Sequence, residues 1–340
     1  MHHRTRRTLL TVAKFAIPAA IILFLFHNIP EEKWEKLTAQ PKNYPLLATA
    51  LLVALASISI SFSRWCLLVR CQKIELSMVE AFRLGAIGYL LSFVSAGSVG
   101  GDVFKAIFLA KRRPGKRIAA VASVLVDRGC GLFGLVLLVS ITLIVTPPTT
   151  ATGESKDIET IRFWTALLVG LGTAVLAILV LGGRRVEQLL TSASKLRLIG
   201  PIVARIGPPL RMFHEHPIAL FVSILMSLGV HSGLTLSIYL IARGLYADPP
   251  TLAEHYIIVP VALLASALPI TPAGLGIFEG AMAWLYDVVP AEPTLASGVM
   301  VALVFEMVRV IVAMFGTIFY WTANAEVRGS LEAAEHQTSD

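Results

Sequence analysis

Charge is scarce in this chain. Asp, Glu, Lys and Arg together make up 15% of 340 residues, against 56% hydrophobic residues and a mean hydropathy of +0.74. That is more apolar surface than a soluble chain of this length needs for its core, which excludes a soluble globular protein. Cysteine is scarcer still. Cys66, Cys71 and Cys130 are odd in number and fall in or near membrane or cytoplasmic positions, so they give no sign of a disulfide framework. The familiar catalytic motifs are missing: there is no P-loop, no Cys/His metal spacing and no G-x-S-x-G. His214 and His216 make only an isolated H-x-H, too little for a metal site. Gly97 to Gly101 does not match the dinucleotide fingerprint and follows no strand. The expectations are therefore no enzyme activity, no ATP hydrolysis, no cofactor and no metal.

What the sequence does hold is apolar length. Six stretches, 8–28, 45–69, 118–146, 161–182, 217–243 and 294–322, are long enough to cross a hydrocarbon core of about 30 Å. Each must be helical, because lipid offers no partner to a free backbone group. The first follows Arg4, Arg6 and Arg7 as a signal peptide would, but it is long and no small-residue cleavage site follows Pro30, so it reads as an anchor. Two further stretches, 78–110 and 252–287, are each broken by glycine or proline into pieces of fewer than about 20 residues. They read as re-entrant hairpins. The fold class is thus an all-α integral membrane protein, with six spans and two broken-helix hairpins.

Tails are expected at 1–7 and 325–340, around one polytopic domain at 8–324. Most of the 29 Lys and Arg fall on the side of the N-terminus, including Arg64, Arg70 and Lys73, Lys111 to Arg117, and Arg184 to Arg211. By the positive-inside rule both termini are cytoplasmic. Trp65 and Trp321 then fall at the inner interface, with Trp34, Trp164 and Trp284 at the outer one. The net charge of +7 reflects this topology and does not imply a nucleic-acid partner. The linker 184–216 mixes leucines with Arg and Lys, as an interfacial amphipathic helix or a solvated loop would.

The two breaks are alike. Ser95-Ala-Gly-Ser-Val-Gly100 aligns with Thr271-Pro-Ala-Gly-Leu-Gly276, and each half of the chain runs span, span, hairpin, span. An odd number of crossings per half makes the halves, 8–146 and 161–322, an inverted repeat, in which interrupted helices flank a central site. Gly100, Gly101, Gly274 and Gly276 allow the turns and leave donors uncovered where a short helix restarts, a setting that suits phosphate or carboxylate. Asp102 and Glu279 lie in those first turns, as helix caps or as ion-coupling groups. Asp127 and Arg128 lie in the third span, and Glu306 and Arg309 in the sixth. Charges in hydrocarbon should face the bundle interior. Glu306 and Arg309 share a helix face, whereas Asp127 and Arg128 point apart and need partners elsewhere. They are either tethers between helices or, for the two arginines, a fork for an anionic head group. Arg83 is a deeper candidate for substrate contact, with Glu80 as its ion partner, while Lys105 reads as snorkelling to the inner interface. His231 reads as a packing histidine or a proton relay.

The run Gly97-Ser-Val-Gly-Gly-Asp-Val-Phe-Lys-Ala, the basic loop Lys111 to Arg117, the pair Asp127-Arg128 and the run Thr271-Pro-Ala-Gly-Leu-Gly-Ile-Phe-Glu resemble the flippase-like membrane domain of lysylphosphatidylglycerol synthases. The resemblance extends from about residue 8 to 324. It implies a plasma (inner) membrane protein that moves an anionic phospholipid or a lipid-linked head group between leaflets. Lys105 stands where the family pattern more often has arginine, which keeps the charge but loses the fork. Two alternatives stay open: a noncatalytic partner that presents lipid to a separate enzyme, and a membrane enzyme acting on a head group. A homo-oligomer or a partner enzyme is compatible with all three.

The charge bias makes a first prediction. A cysteine placed in the Lys111–Arg117 loop should be shielded from an impermeant thiol reagent added outside intact cells, and one placed at 150–155 should label. Labelling of both from outside would refute this topology.

Overall fold

A computed structural model describes residues 27, 31–94, 99–145, 156–181, 209, 211–268, 271 and 274–321. The expected span 8–28 apart from His27, Ser95 to Ser98 and Pro272–Ala273 of the two breaks, and most of the 184–216 linker lie outside the described residues, as do both tails.

A short helix α1 (Glu31–Ala39) precedes α2 (Tyr44–Cys71), which begins where the Asn43 side chain accepts from the Leu46 N–H. Two residues past its end, Lys73 has a φ of 55° and turns the chain away from the helix axis. The first hairpin is α3 (Met78–Val94) and α4 (Gly100–Arg112), followed by a 3-10 turn at Pro114–Lys116 and then α5 (Arg117–Val145). The second half holds α6 (Lys156–Leu181), α7 (Pro217–Leu245), the second hairpin α8 (Leu252–Ser266) and α9 (Ile277–Val288), and α10 (Gly298–Trp321). Among the described residues there is no strand. Five helices, α2, α5, α6, α7 and α10, are long and apolar enough to cross a membrane. The protein is an all-α, multi-pass membrane protein.

The hairpin arms have 17, 13, 15 and 12 residues, or roughly 18–26 Å at 1.5 Å per residue. Each is too short to cross. Their returns are possible because backbone approaches backbone. A Cβ on Gly101 would collide with the carbonyl of Gly88, so α3 and α4 meet with no side chain between them. In the second hairpin the turn itself needs glycine: Gly274 and Gly276 have φ of 75° and 83°, which L-residues with a Cβ resist. A Cβ on Gly274 would also lie 2.6 Å from the Ser266 carbonyl.

Helices α2 and α7 form the central pair, with small residues at their contact. Ser237 donates to the Ala50 carbonyl at 2.8 Å, and a Cβ on Gly233 would strike the Ser57 hydroxyl. Small residues let membrane helices approach closely where lipid removes the hydrophobic drive to associate. Around that pair the hairpins cross between halves: α3 packs on α10, and α8 packs on α5. The other pairings recur in the same order, α2 on α3 as α7 on α8, α4 on α5 as α9 on α10, and α2 on α5 as α7 on α10. Helix α6 stands at the periphery against α5, with Phe163, Trp164, Leu167, Leu171 and Ile178 exposed as a lipid-facing surface.

Trp65 faces protein and not lipid: it is 1% exposed, inside a core shared by α2, α3, α4 and α5. Its ring forms a floor for Lys105, whose Nζ lies 5.2 Å from its centroid.

Close approach gives the second prediction. Gly101→Ala should drive α4 off α3 and cost about 1–3 kcal/mol as overpacking, whereas Gly280→Ala, with nothing within 4 Å, should be neutral or gain up to about 1 kcal/mol. Unfolding in detergent micelles measures both. Equal effects would show that the hairpin contact does not constrain the fold.

Candidate functional site

Charges inside the bundle collect at two places, one beside the start of each returning hairpin arm. At the first, Asp102 sits in the opening turn of α4 and its two carboxylate oxygens go to different cations. Oδ1 meets Lys105 Nζ at 2.9 Å and Oδ2 meets Arg128 at 2.7 Å. Asp102 therefore pairs and does not cap α4. Lys105 does not snorkel; its side chain is 15% exposed and folds back one turn between Asp102 and the Trp65 ring. Arg128 also donates to the carbonyl of Ala267, just past α8, at 2.9 Å. One guanidinium in α5 thus ties the start of the returning arm in its own half's hairpin to the end of the first arm in the other's.

Next to this group lies a pair whose cation the sequence misplaced. Arg64, expected at the cytoplasmic surface, is 5% exposed; its Nε donates to Asp127 at 2.8 Å and its Nη1 to Ser227 at 2.7 Å. Asp127 and Arg128 do point apart, each to a partner on another helix. Across Gly131 from Arg64, His231 meets the Gly131 carbonyl at 3.0 Å, as a packing histidine does. Among the described residues, this centre holds Arg64, Lys105 and Arg128 against Asp102 and Asp127: three cations to two carboxylates.

The second centre is built from the matching elements and has the opposite balance. In α9, Glu279 accepts from the Gly276 N–H at 2.6 Å, so here the acid does cap its helix. The left-handed turn at Gly276 aims that N–H at the third residue of the helix. In α10, Glu306 and Arg309 form an ion pair one turn apart, as their spacing predicts. Arg309 also bonds the Tyr89 hydroxyl and lies 5.2 Å from the centroid of the Phe93 ring, both near the end of α3. This is again an arginine of one half against the hairpin of the other. Glu279 and Glu306 each follow directly on a residue of the Phe278–Phe305 ring contact, 5.8 Å between centroids, that packs α9 on α10; Glu306 feels the charge of Glu279, and both acids feel Arg309. Two carboxylates here face one cation.

The centres are neighbours. Gly88, which Gly101 approaches, and Tyr89, which Arg309 approaches, are adjacent in α3, so the two centres flank its last turns. Gly100 is buried at the head of α4, and Gly274 and Gly276 form the turn before α9. Arg83 lies in the second turn of α3, about 9 Å along the helix from Tyr89. Its expected partner Glu80 instead meets Arg112 and accepts from the Ser77 N–H at 2.9 Å. Burial pushes the Glu80 carboxyl up, but these bonds outweigh it and hold the group below its ordinary range.

At that end of the hairpin a recess of about 610 Å³ opens among Arg70, Lys73, Glu75, Glu80 and Arg112. The loop above it is tied to the basic segment by Lys116, which donates to the Lys73 carbonyl at 2.6 Å, and by the Arg113–Glu75 pair at 2.6 Å. Sequence reasoning missed both the recess and Arg64. The spacing Arg64, Arg70, Lys73 resembles an interfacial cluster, and nothing local distinguishes the one residue whose partner is 63 positions away.

Among the described residues no group of three His, Cys, Asp or Glu could hold a metal. The three cysteines are free and buried.

The Arg64–Asp127 pair generates the third prediction. Arg64→Met leaves a carboxylate in the interior without its cation and should cost about 3–5 kcal/mol, while Arg64→Met with Asp127→Leu should recover most of that loss. Unfolding of both variants tests it; a double variant as unstable as the single one would contradict the pairing.

Comparison with known proteins agrees with this architecture. No curated protein and no solved structure matches the chain significantly. The family model described as the lysylphosphatidylglycerol synthase TM region matches residues 11–316, nearly the whole chain, both hairpins and both charge centres included. The chain belongs to the lysylphosphatidylglycerol synthase transmembrane-region family.

Proposed function

We propose that the protein moves an anionic phospholipid, or a lipid-linked anionic head group, between leaflets without ATP hydrolysis, with both termini in the cytoplasm. The observation that carries this reading is the excess cation at the first centre. Lys105 and Arg128 share one carboxylate, Asp102, so a singly charged phosphate diester would complete the balance there. Charges inside hydrocarbon are costly and are kept where they meet a substrate or each other. The guanidinium supplies a fork that matches phosphate oxygens, and Lys105 a point charge beside it.

Movement requires that the centre be reached from either side in turn. The hairpins offer a route, because each packs on a span of the opposite half and carries a polar contact to an arginine there, Arg128 on Ala267 and Arg309 on Tyr89 and Phe93. The recurrence of helix pairings between residues 44–145 and 217–321 supports an inverted repeat, in which one half rocks against the other around a fixed site. The recess by Arg70, Lys73 and Arg112 opens at the Met78 end of the first hairpin; with the termini in the cytoplasm it would face that side and receive head groups from that leaflet.

The full chain in phosphatidylethanolamine–phosphatidylglycerol vesicles tests the proposal, with fluorescent phosphatidylglycerol as the probe and quenching of outer-leaflet label as the readout. Wild type should exchange label at least about tenfold faster than empty vesicles, a difference of 1.4 kcal/mol in the barrier. Arg128→Gln should fall to the empty-vesicle rate while remaining folded, because Asp102 keeps Lys105. Wild-type exchange no faster than empty vesicles, or unchanged exchange in folded Arg128→Gln, would refute the proposal.

A further inference from the structure

The second centre has a charge problem that its own residues do not solve. Glu279 is fully buried and Glu306 is 7% exposed. One oxygen of Glu279 takes the Gly276 N–H and one oxygen of Glu306 takes Arg309. The remaining two, Oε1 of Glu279 and Oε2 of Glu306, are buried with no hydrogen-bond partner. If both acids were ionised, one Arg309 would face two negative charges in a site shielded from water. Like charges so placed raise the cost of ionising the second acid, and burial raises it further.

Among the described residues, the surrounding elements bring no second cation. From α3 come the Tyr89 hydroxyl, bonded to Arg309, and the Phe93 ring. Arg83 is on the same helix, but α3 and α10 run antiparallel, with Gly316 against Ala86 and Arg309 against Phe93, so Arg83 lies level with the far end of α10. From α7, His231 turns to Gly131, Tyr239 turns to His255, and Arg243 is exposed in the last turn. From α8, His255 bonds Tyr286 at 2.8 Å, and Glu254 caps its own helix at Thr251. From α2, Arg64 is held by Asp127 and Arg70 by the Leu76 carbonyl.

We propose that Glu279 and Glu306 form a binding site for one exchangeable proton, shared between them, and that its uptake and release accompany lipid movement. The coupling half of this statement rests on the translocase reading above; the proton site itself does not. With one proton bound, the second centre is neutral, and one of its two orphaned oxygens becomes an O–H donor. The proton's source and destination is water on whichever side the hairpins open. Because the first centre carries one excess cation and the second lacks one, a monoanionic head group and a proton together leave the interior uncharged.

The site and its coupling are tested separately. In infrared difference spectra of the purified full chain in nanodiscs at pH 7, wild type should show one protonated-carboxyl carbonyl band. Glu279→Gln and Glu306→Gln should each remove that same band, because either change leaves a single acid with Arg309 and no need for the proton. Both glutamines keep a carbonyl oxygen for the Gly276 N–H or for Arg309, so folding is preserved. No band in wild type, or a band that survives in both variants, overturns the proton site.

For the coupling, vesicles loaded with a pH-sensitive dye and carrying fluorescent phosphatidylglycerol should show proton flux together with lipid movement, and an imposed pH gradient should bias the label between leaflets. Glu279→Gln and Glu306→Gln should abolish the bias. Lipid movement without proton flux, or a bias set by a sodium gradient at fixed pH, overturns the coupling. Absence of lipid movement in wild type overturns the translocase reading and with it the coupling, whereas the infrared result still decides the proton site.

Discussion

A charged side chain in hydrocarbon must find a partner, and in this chain that requirement organises the interior. Arg64, Arg128 and Arg309 all lie in helices long enough to span, and each is satisfied by a group on a different helix, on its own face, or both. Two of these contacts hold together parts of the molecule that apolar packing alone would hold weakly. Helices α3 and α8 are short, and lipid competes on nearly equal terms for their apolar surfaces. Their ends are fixed by Tyr89 and Phe93 against Arg309, and by Ala267 against Arg128. The polar contacts therefore set where the hairpins stop, and close approach at Gly88–Gly101 and Ser266–Gly274 sets how they return.

The two centres use the same parts to opposite effect. In each, an acid stands in the first turn of the returning arm and an arginine stands in the following span. The first centre adds a lysine to that acid and arginine, and the second adds a glutamate. The local backbone follows the difference. Asp102 is drawn to cations and leaves its helix start uncapped, whereas Glu279 is drawn to the N–H that the left-handed Gly276 presents. Such a division suits a molecule that must accept a negatively charged group in its interior and remain neutral. An excess of positive charge suits an anion, and an excess of negative charge nearby offsets that positive charge when no anion is bound.

Much of this was legible in the sequence. Hydropathy gives the described spans, because nothing but helix satisfies backbone in lipid, and Gly/Pro breaks in short apolar runs give the hairpins. Spacing gives the Glu306–Arg309 pair and the divergence of Asp127 from Arg128. What was not legible depended on distance in the chain. Arg64 looks like its neighbours Arg70 and Lys73 until Asp127 is placed beside it. Lys105 looks like a snorkelling lysine until Trp65 and Asp102 enclose it. Asp102 and Glu279 occupy the same helix position and read alike, and only the neighbouring cations and the φ of Gly276 separate a paired acid from a capping one.

Whether the Asp102–Arg128 contact both supports the fold and forms the site is tested most directly by stability and fluorescent phosphatidylglycerol exchange for Asp102→Asn, alone and combined with Arg128→Gln. Asp102→Asn should destabilise, because it leaves Lys105 and Arg128 without their shared carboxylate. Adding Arg128→Gln should restore much of the stability, because the stranded guanidinium is gone, and exchange should stay at the rate of empty vesicles. Additive losses of stability, or wild-type exchange in the double variant, would contradict it.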